Sequence, residues 1–221
     1  MANVKVEQEV FTIDAVRYLT GSTYVLRFSR NGMQFKPGQH LVLGIPGSTQ
    51  LREYSIYSGT DDPSLEVLIK EVDEGLVSRQ LKHIKPGEAL EVRGPYGFFL
   101  TKASETISQK LLFISSGTGI APFHSFIRSF PDTDYRLIHG VRDLKETYDS
   151  AEYAEGRYIS CTSRDESGDF HGRLTDYLLD CELDPESRVY LCGNSHMIFD
   201  AMDILRSRGI GQKQIFTEVY F

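Results

Sequence analysis

The chain has 221 residues and a formal net charge of −7, with 40% of its residues hydrophobic and 25% charged. This length suits two domains of roughly 100 to 120 residues, each large enough to hold its own core. Nucleic acids and anionic membranes attract surfaces with excess Lys and Arg, so we expect this acidic protein to bind neither of them. No apolar run approaches the length of a membrane span, so we expect a cytoplasmic protein.

The first hundred residues predict short strands rich in β-branched and aromatic residues, with turns at Pro37-Gly38 and Pro86-Gly87. The predicted strands cover residues 23–28, 39–43, 65–69 and 89–93. Evenly spaced short strands predict a closed antiparallel barrel. A helix is predicted from Leu76 to Leu81. The polar stretch 101–106 is the predicted boundary between domains at 1–104 and 105–221.

The second half alternates predicted strands and helices. Its first strand, residues 111–115, is a continuous apolar run, as expected of a parallel strand buried on both faces. Further strands are predicted at 135–139, 157–162 and 189–192, with helices at 122–130 and 195–208. This order predicts a doubly wound α/β domain, whose ligands bind beyond the carboxyl ends of the strands.

A short predicted strand carries Arg52, Tyr54 and Ser55. Side chains alternate along a strand, so Arg52 and Tyr54 share one side and Ser55 faces the other. A guanidinium pairs with a pyrophosphate, a phenol ring stacks on a flat heterocycle, and a hydroxyl bonds a ring nitrogen. The trio is suited to a flavin site. Taken alone, it also fits an edge strand with a surface arginine.

Two turns containing glycine precede predicted helices, at Gly75 and at Gly117-Thr118-Gly119. The free amide hydrogens at a helix start attract phosphate, so each turn is a candidate nucleotide contact. An ordinary helix start explains the first turn equally well, and a tight structural turn explains the second.

These patterns occur in one fixed order. They are R-E-Y-S at 52–55, G-L-V-S at 75–78, G-P-Y-G-F-F at 94–99, S-G-T-G-I-A-P at 116–122, C-G-N at 192–194 and T-E-V-Y-F at 217–221. The set resembles the ferredoxin–NADP(+) reductase family along nearly the whole chain. The resemblance implies an FAD-binding Greek-key barrel followed by an NADP(H)-binding α/β domain. It also implies hydride exchange with NADP(H) and single-electron exchange with ferredoxin or flavodoxin.

The resemblance implies roles for individual residues of the barrel. Arg52 would pair with the FAD pyrophosphate, Tyr54 would stack on the isoalloxazine, and Ser55 would lie near its N5 atom. The pyrophosphate would also meet the turn formed by Gly75, Leu76, Val77 and Ser78. The FAD ribose or adenine would meet the backbone of Leu68, Ile69 and Lys70.

In the second domain, the resemblance assigns Gly117, Thr118 and Gly119 to the nucleotide, and Cys192-Gly193 to the nicotinamide. A lone cysteine is otherwise more often a small core residue. Ser163 and Arg164 follow a strand where an arginine accommodates a 2′-phosphate, although nearby Asp165 keeps NAD use open. The remaining basic candidates, Arg142 and Arg173, fit either a nucleotide contact or a solvated loop.

The resemblance extends to the last residues. Tyr220 would cover the flavin face that nicotinamide must reach, Glu218 would act with Ser55 on the N5 proton, and Phe221 would lie towards the FAD adenine. A frayed terminus is the ordinary alternative, but the last six residues are unusually apolar for a loose tail.

The leading prediction is a monomeric, NADPH-dependent FAD reductase that serves ferredoxin or flavodoxin. Its rivals are an NADH-dependent reductase component of an oxygenase and a nucleotide-binding regulatory subunit without turnover. No metal is expected, since the histidines lack ligand spacing and the three cysteines form no C-x-x-C. A basic cluster between residues 79 and 93, which includes Lys82, Lys85 and Arg93, is a candidate docking face.

Overall fold

A computed structural model describes residues 9–72, 75–105 and 107–220 of the chain. Its N-terminal part is an antiparallel β-structure with one short helix. The elements are β1 (Glu9–Tyr18), β2 (Thr23–Ser29), β3 (His40–Gly44), β4 (Arg52–Ser55), β5 (Ser64–Lys70), α1 (Leu76–Lys82) and β6 (Ala89–Tyr96). No helix within the described ranges is both long and apolar enough to cross a membrane.

The six N-terminal strands form one sheet in the order β4-β3-β6-β1-β2-β5. An antiparallel bridge between Ile56 and Val67 brings the two edges of the sheet together. Large side chains such as Phe11, Tyr24 and Phe28 are fully buried inside. Their burial favours closure of the sheet into a barrel, because a curved sheet encloses an apolar core that a flat sheet would leave partly exposed to water. The predicted antiparallel barrel is confirmed.

The C-terminal part alternates strands and helices. Its elements are α2 (Thr101–Glu105), β7 (Leu111–Ser116), α3 (Ala121–Ser129), β8 (Tyr135–Val141), β9 (Tyr158–Thr162), β10 (Phe170–His171), α4 (Leu174–Asp180), β11 (Arg188–Asn194), α5 (Ser195–Ser207) and β12 (Ile215–Tyr220). The six strands pair in parallel in the order β10-β9-β8-β7-β11-β12.

Strand β7 explains why this sheet is covered on both faces. Leu111 and Phe113 pack into one core with the aromatic residues of α3, whereas Leu112 and Ile114 pack into another with α4 and α5. Burial of both sets of side chains requires helices on each side, as in a doubly wound domain. The predicted α/β architecture is confirmed.

Five elements were not predicted from the sequence: β1, α2, β10, α4 and β12. Helix α2 lies in the polar stretch that was interpreted as a linker, and it forms because Leu100 and Ala103 are fully buried against the second domain. The boundary between residues 104 and 105 therefore falls within this helix, and its position stays a prediction.

The two domains are joined by a network of charged and aromatic side chains. Arg17 of β1 forms a bidentate pair with Asp149, with both N···O distances 2.7 Å. Tyr57 donates to the same carboxylate at 2.9 Å, and its ring stacks on His124 of α3 at 3.6 Å. His124, Asp149 and Glu152 place possible ligand atoms within 4.8 Å of one another. Because arginines already pair with both carboxylates, we interpret the cluster as a domain contact.

Candidate functional site

Strand β4 presents its three predicted site residues in the expected alternation. Arg52 is exposed, Tyr54 is half-buried, and Ser55 is buried. The Arg52 guanidinium donates to the carbonyl of Leu51 at 2.8 Å and forms no ion pair with any described residue. Burial raises the pKa of Tyr54 to about 12, and the nearby Arg52 charge opposes that rise. A cation and an aromatic ring thus share one face of the strand, and the ring of Tyr54 packs against the barrel core.

The neighbouring segments of the barrel offer mainly backbone groups. Leu68 and Ile69 are buried in the core, while Lys70 places its Nζ 3.9 Å from Glu146 of the second domain. Ser78 is also buried, and its Oγ accepts from the Val72 amide at 3.2 Å. Its hydroxyl therefore fixes the turn before α1. The Gly75 amide donates to the Val72 carbonyl at 2.8 Å, so any phosphate contact of this turn rests on the amides of Leu76 and Val77.

The four residues predicted to act in catalysis meet at the junction of the domains. Tyr220 donates to Ser55 Oγ at 2.6 Å, and the Ser55 hydroxyl lies 3.4 Å from Glu218 Oε2. Cys192 pairs with Glu218 across β11 and β12, and its Sγ lies 3.9 Å from the same oxygen. Phe221 lies outside the described residues. Ser55 comes from the barrel and the other three from the α/β domain, so packing of the two domains creates the cluster.

Burial controls the protonation of this cluster. Burial, assisted by the charge of Glu53, raises the pKa of Glu218 to about 7, although the Ser55 hydrogen bond opposes the shift. Burial likewise raises the pKa of the Cys192 thiol and of the Tyr220 phenol well above their ordinary values. Cys192 and Tyr220 are therefore neutral at physiological pH. Glu218 is the member that exchanges a proton near neutrality.

The glycine-rich loop after β7 is packed tightly against the carboxyl end of β11. A Cβ atom on Gly119 would lie 2.4 Å from the carbonyl oxygen of Cys192, and one on Gly193 would lie 2.3 Å from Ser116 Oγ. The amide of Asn194 also donates to Ser116 Oγ at 3.0 Å. Only glycine fits at both contacts. The two motifs, predicted separately, therefore form one surface at the carboxyl end of the sheet.

Sequence reasoning missed His139, which lies under this loop. The histidine is fully buried on β8, with Nε2 2.8 Å from the Gly117 carbonyl oxygen and Nδ1 2.9 Å from the Tyr158 hydroxyl. Burial lowers its pKa to about 4, so the ring is neutral at physiological pH. The only sequence signal was a polar residue directly after the apolar pair Leu137-Ile138.

The predicted 2′-phosphate residues lie along the same carboxyl edge of the sheet, after β8, β9 and β10. The amide of Arg164 donates to the Arg142 carbonyl at 2.9 Å, and the amide of Ser163 donates to Val141 at 3.1 Å. Arg173 follows the adjoining strand β10. The guanidinium groups of these three arginines are exposed, and none forms an ion pair within the part of the chain that the structure describes.

Asp165 has a different environment from these arginines. Its carboxylate accepts from the amides of Leu144 at 2.9 Å and Ser167 at 3.0 Å, and these bonds lower its pKa. The carboxylate that kept NAD use open in the sequence therefore holds two loops together. It has less capacity to bind a ribose hydroxyl than an unengaged carboxylate.

Comparisons with known proteins cover both domains. A family model for an oxidoreductase FAD-binding domain matches residues 11–100, and one for an oxidoreductase NAD-binding domain matches residues 113–203. The chain is 30% identical to a flavodoxin/ferredoxin–NADP reductase of Rhodobacter capsulatus, with 95% of this chain and 90% of the relative covered. It is 32% identical to the electron transfer component of toluate 1,2-dioxygenase of Pseudomonas putida, with 94% and 66% covered.

The fold is also similar to a solved structure, a ferredoxin NADP+ reductase from Neisseria gonorrhoeae with bound FAD and NADP. The TM-score is 0.86 at 24% identity, and the match covers 98% of this chain and 100% of that one. At this identity the similarity establishes the fold. The chain thus spans about two thirds of the toluate dioxygenase component and nearly all of the two reductases.

Proposed function

The chain belongs to the ferredoxin–NADP reductase family of FAD- and NAD(P)-binding oxidoreductases, and on this basis we propose that it transfers electrons from NADPH to ferredoxin or flavodoxin. The observation that carries the proposal is the contact of Ser55 with Glu218 and Tyr220. This contact joins the FAD-type domain to the NAD-type domain through groups able to hold and pass a proton. Both cofactors need to meet at such a junction.

The residues present fit the two cofactors. Arg52 is an exposed guanidinium without a carboxylate partner in the described ranges, as expected of a residue that pairs with pyrophosphate. The half-buried rings of Tyr54 and Tyr220 are suited to stacking on a flat heterocycle. At Gly119 and Gly193 a Cβ atom would meet backbone atoms, so the site proposed for the nicotinamide nucleotide accepts only glycine at these two positions.

FAD, when bound, supplies the conversion between hydride transfer and single-electron transfer. The protein supplies position and proton control. Arg52 neutralises phosphate charge, and Tyr220 covers the junction against water. Glu218 Oε2 holds a proton below about pH 7 and passes it through the Ser55 hydroxyl, which lies 3.4 Å away. Cys192 is buried and neutral, so it would offer the nicotinamide a small apolar contact surface.

We propose NADPH over NADH on the basis of the exposed arginines. The guanidinium groups of Arg142, Arg164 and Arg173 form no ion pair with any described carboxylate, so they are available to a 2′-phosphate. Asp165, the carboxylate that an NAD enzyme would direct to the ribose, is engaged by two amides. The similarity to the toluate dioxygenase component keeps an NADH-dependent oxygenase reductase as the second candidate.

The electron-transfer partner is proposed as ferredoxin or flavodoxin, following the Rhodobacter relative. The basic cluster between residues 79 and 93 supports docking less than the sequence suggested. Lys82 pairs with Glu71 at 2.5 Å, and Arg93 pairs with Glu91 at 2.7 Å. These pairs reduce the positive charge that the face offers to an acidic partner. A monomeric state and a cytoplasmic location stay predictions.

The test is a spectrum followed by turnover. Protein reconstituted with FAD should show flavin absorption bands that bleach on anaerobic addition of NADPH, and ferricyanide should then be reduced catalytically. A colourless protein would favour the regulatory subunit. A tenfold preference for NADH would favour the oxygenase reductase. Reduction of ferricyanide without reduction of either ferredoxin or flavodoxin would refute the proposed partner and leave the cofactor chemistry standing.

A further inference from the structure

We propose that His139 is a positioning residue that holds the glycine loop at residues 117–119 in the shape that receives the nucleotide pyrophosphate. The inference rests on the proposed function and adds a residue to it. His139 lies beneath the loop and touches no cofactor itself. It acts through the carbonyl group of Gly117, with which its Nε2 is in hydrogen-bond contact at 2.8 Å.

The hydrogen bonds of His139 determine which nitrogen carries the proton. A carbonyl oxygen only accepts, so Nε2 must donate to Gly117. Nδ1 is then the acceptor, and it receives the hydroxyl hydrogen of Tyr158 at 2.9 Å. Strands β7 and β8 pair with Ser115 opposite His139, so the imidazole lies directly beside the start of the loop. Both ring nitrogens are thereby satisfied although the residue is fully buried.

Gly117 is the point in the loop that most needs such a restraint. Its φ is +53°, and a Cβ atom there would meet nothing within 4 Å. Packing against a side chain therefore cannot confine this residue, which is the first of the 3-10 turn Gly117–Ile120, and glycine itself moves easily between backbone conformations. By contrast, Gly119 and Gly193 are confined by close contacts on the other side of the loop. The hydrogen bond from His139 supplies the restraint that packing omits.

Fixing the Gly117 carbonyl also fixes the amide that follows. The peptide bond is planar and trans, so the N–H of Thr118 points opposite to the Gly117 C=O, away from His139. Thr118 is the second residue of the 3-10 turn Gly117–Ile120 that leads into α3, and its amide is among the first ones, which have no partner within the turn. A loop held in this orientation binds a pyrophosphate without first having to be ordered.

The experiment compares two ligands by calorimetry on the FAD-loaded protein. NADP+ contains the pyrophosphate, whereas 2′-AMP contains the adenosine and 2′-phosphate only. His139→Phe removes the donor to Gly117 and keeps a planar ring. We expect the Kd for NADP+ to rise about tenfold or more, since the Gly117 carbonyl loses the donor that orients it, and the Kd for 2′-AMP to change by less than about twofold.

Two further variants separate positioning from general damage to the fold. His139→Gln can return an N–H donor near the place of Nε2, so NADP+ affinity should recover in part. His124→Phe replaces a second buried histidine, at the domain junction, and should leave the ratio of the two Kd values unchanged. Thermal unfolding of each variant identifies any that are misfolded, and His139→Gln keeps the test decisive if His139→Phe does not fold.

Each outcome bears on a different claim. A selective loss of NADP+ binding in His139→Phe, partly restored in His139→Gln, supports the positioning role. Equal losses for both ligands, or no loss for NADP+, overturn it. Failure of the unaltered FAD-loaded protein to bind NADP+ would refute the proposed function itself, and the inference with it.

Discussion

The hydroxyl of Tyr220 donates a 2.6 Å hydrogen bond to the Oγ of Ser55, so the last described strand of the α/β domain is tied to strand β4 of the barrel. The Ser55 hydroxyl is in turn directed at Glu218 Oε2, 3.4 Å away. Tyr220, Ser55 and Glu218 thus form a continuous line of hydrogen-bonding groups across the domain junction. This line predicts how the site responds to substitution and to pH.

Replacing Tyr220 by Ser should tighten NADP+ binding. In the proposed enzyme, nicotinamide has to displace this ring, and the cost of displacement weakens the measured affinity. A cost on the order of 1.4 kcal/mol corresponds to about a tenfold lower Kd in the variant. NADPH turnover should fall, because product is released more slowly. Titration of the flavin spectrum with NADP+ measures the affinity.

The control variant Tyr220→Phe keeps the ring, so its Kd for NADP+ should stay within about threefold of that of the unaltered protein. Equal affinity in all three proteins would contradict a covering role.

Glu218 should make the stability of the flavin-free protein fall as pH rises. Its folded pKa of about 7 lies above the ordinary glutamate value near 4.3. Between these values the folded state keeps a proton that the unfolded state has lost, so stability declines with increasing pH and levels off above about 7. Glu218→Gln should flatten this part of the profile. Thermal unfolding from pH 5 to 8 measures it, with exposed Glu186→Gln as the control. Identical slopes in all three proteins would show that Glu218 is not responsible.

Removal of the Arg52 guanidinium should weaken FAD retention. One charge-assisted bond to phosphate contributes about 1.5 to 3 kcal/mol, so Arg52→Ala should raise the Kd for FAD by roughly one to two decades. Fluorescence titration of the flavin-free protein measures this change. Arg206→Ala, on α5, removes an arginine from another surface and should leave FAD binding unaltered. Normal FAD affinity in Arg52→Ala would make Arg52 an ordinary surface residue of the strand.

Arg164→Ala should discriminate between the two nicotinamide nucleotides. NADPH loses a contact to its 2′-phosphate, so its KM should rise about tenfold, while kcat and the KM for NADH should change little. Steady-state ferricyanide reduction with each nucleotide gives the comparison, and NADH acts as the internal control. Parallel losses with both nucleotides would indicate that Arg164 supports the loop instead of the phosphate.

Gly119→Ala should destabilise the protein, because the new Cβ would lie 2.4 Å from the carbonyl oxygen of Cys192. The carbonyl belongs to the backbone of β11, so relief requires the loop after β7 to move away from that strand. We expect a loss of about 1 to 3 kcal/mol in the free energy of unfolding, measured with urea. At Gly21 a Cβ would have no neighbour within 4 Å, so Gly21→Ala should be tolerated. Equal stability of the two variants would contradict the tight contact.

The architecture and the candidate residue types were predictable from the sequence, because both depend on local patterns. Alternating short strands and turn residues predicted the barrel, and the apolar run at Leu111–Ile114 predicted a parallel strand buried on both faces. The site motifs lie at strand ends, where their neighbours along the chain position them. Helix α2 was missed because its residues are polar along the chain and its few apolar side chains meet a surface far away in sequence.

Tertiary structure alone decided which of these residues meet. Ser55 and Tyr220 are 165 positions apart, and no local pattern encodes the packing of two domains that brings their hydroxyls into contact. His139 looked like an unremarkable polar residue until strand pairing placed it beneath Gly117. The raised pKa of Glu218 likewise depends on burial at the junction. Periodicity along a chain specifies backbone and burial, whereas distances and proton affinities depend on the register and packing of segments remote in sequence.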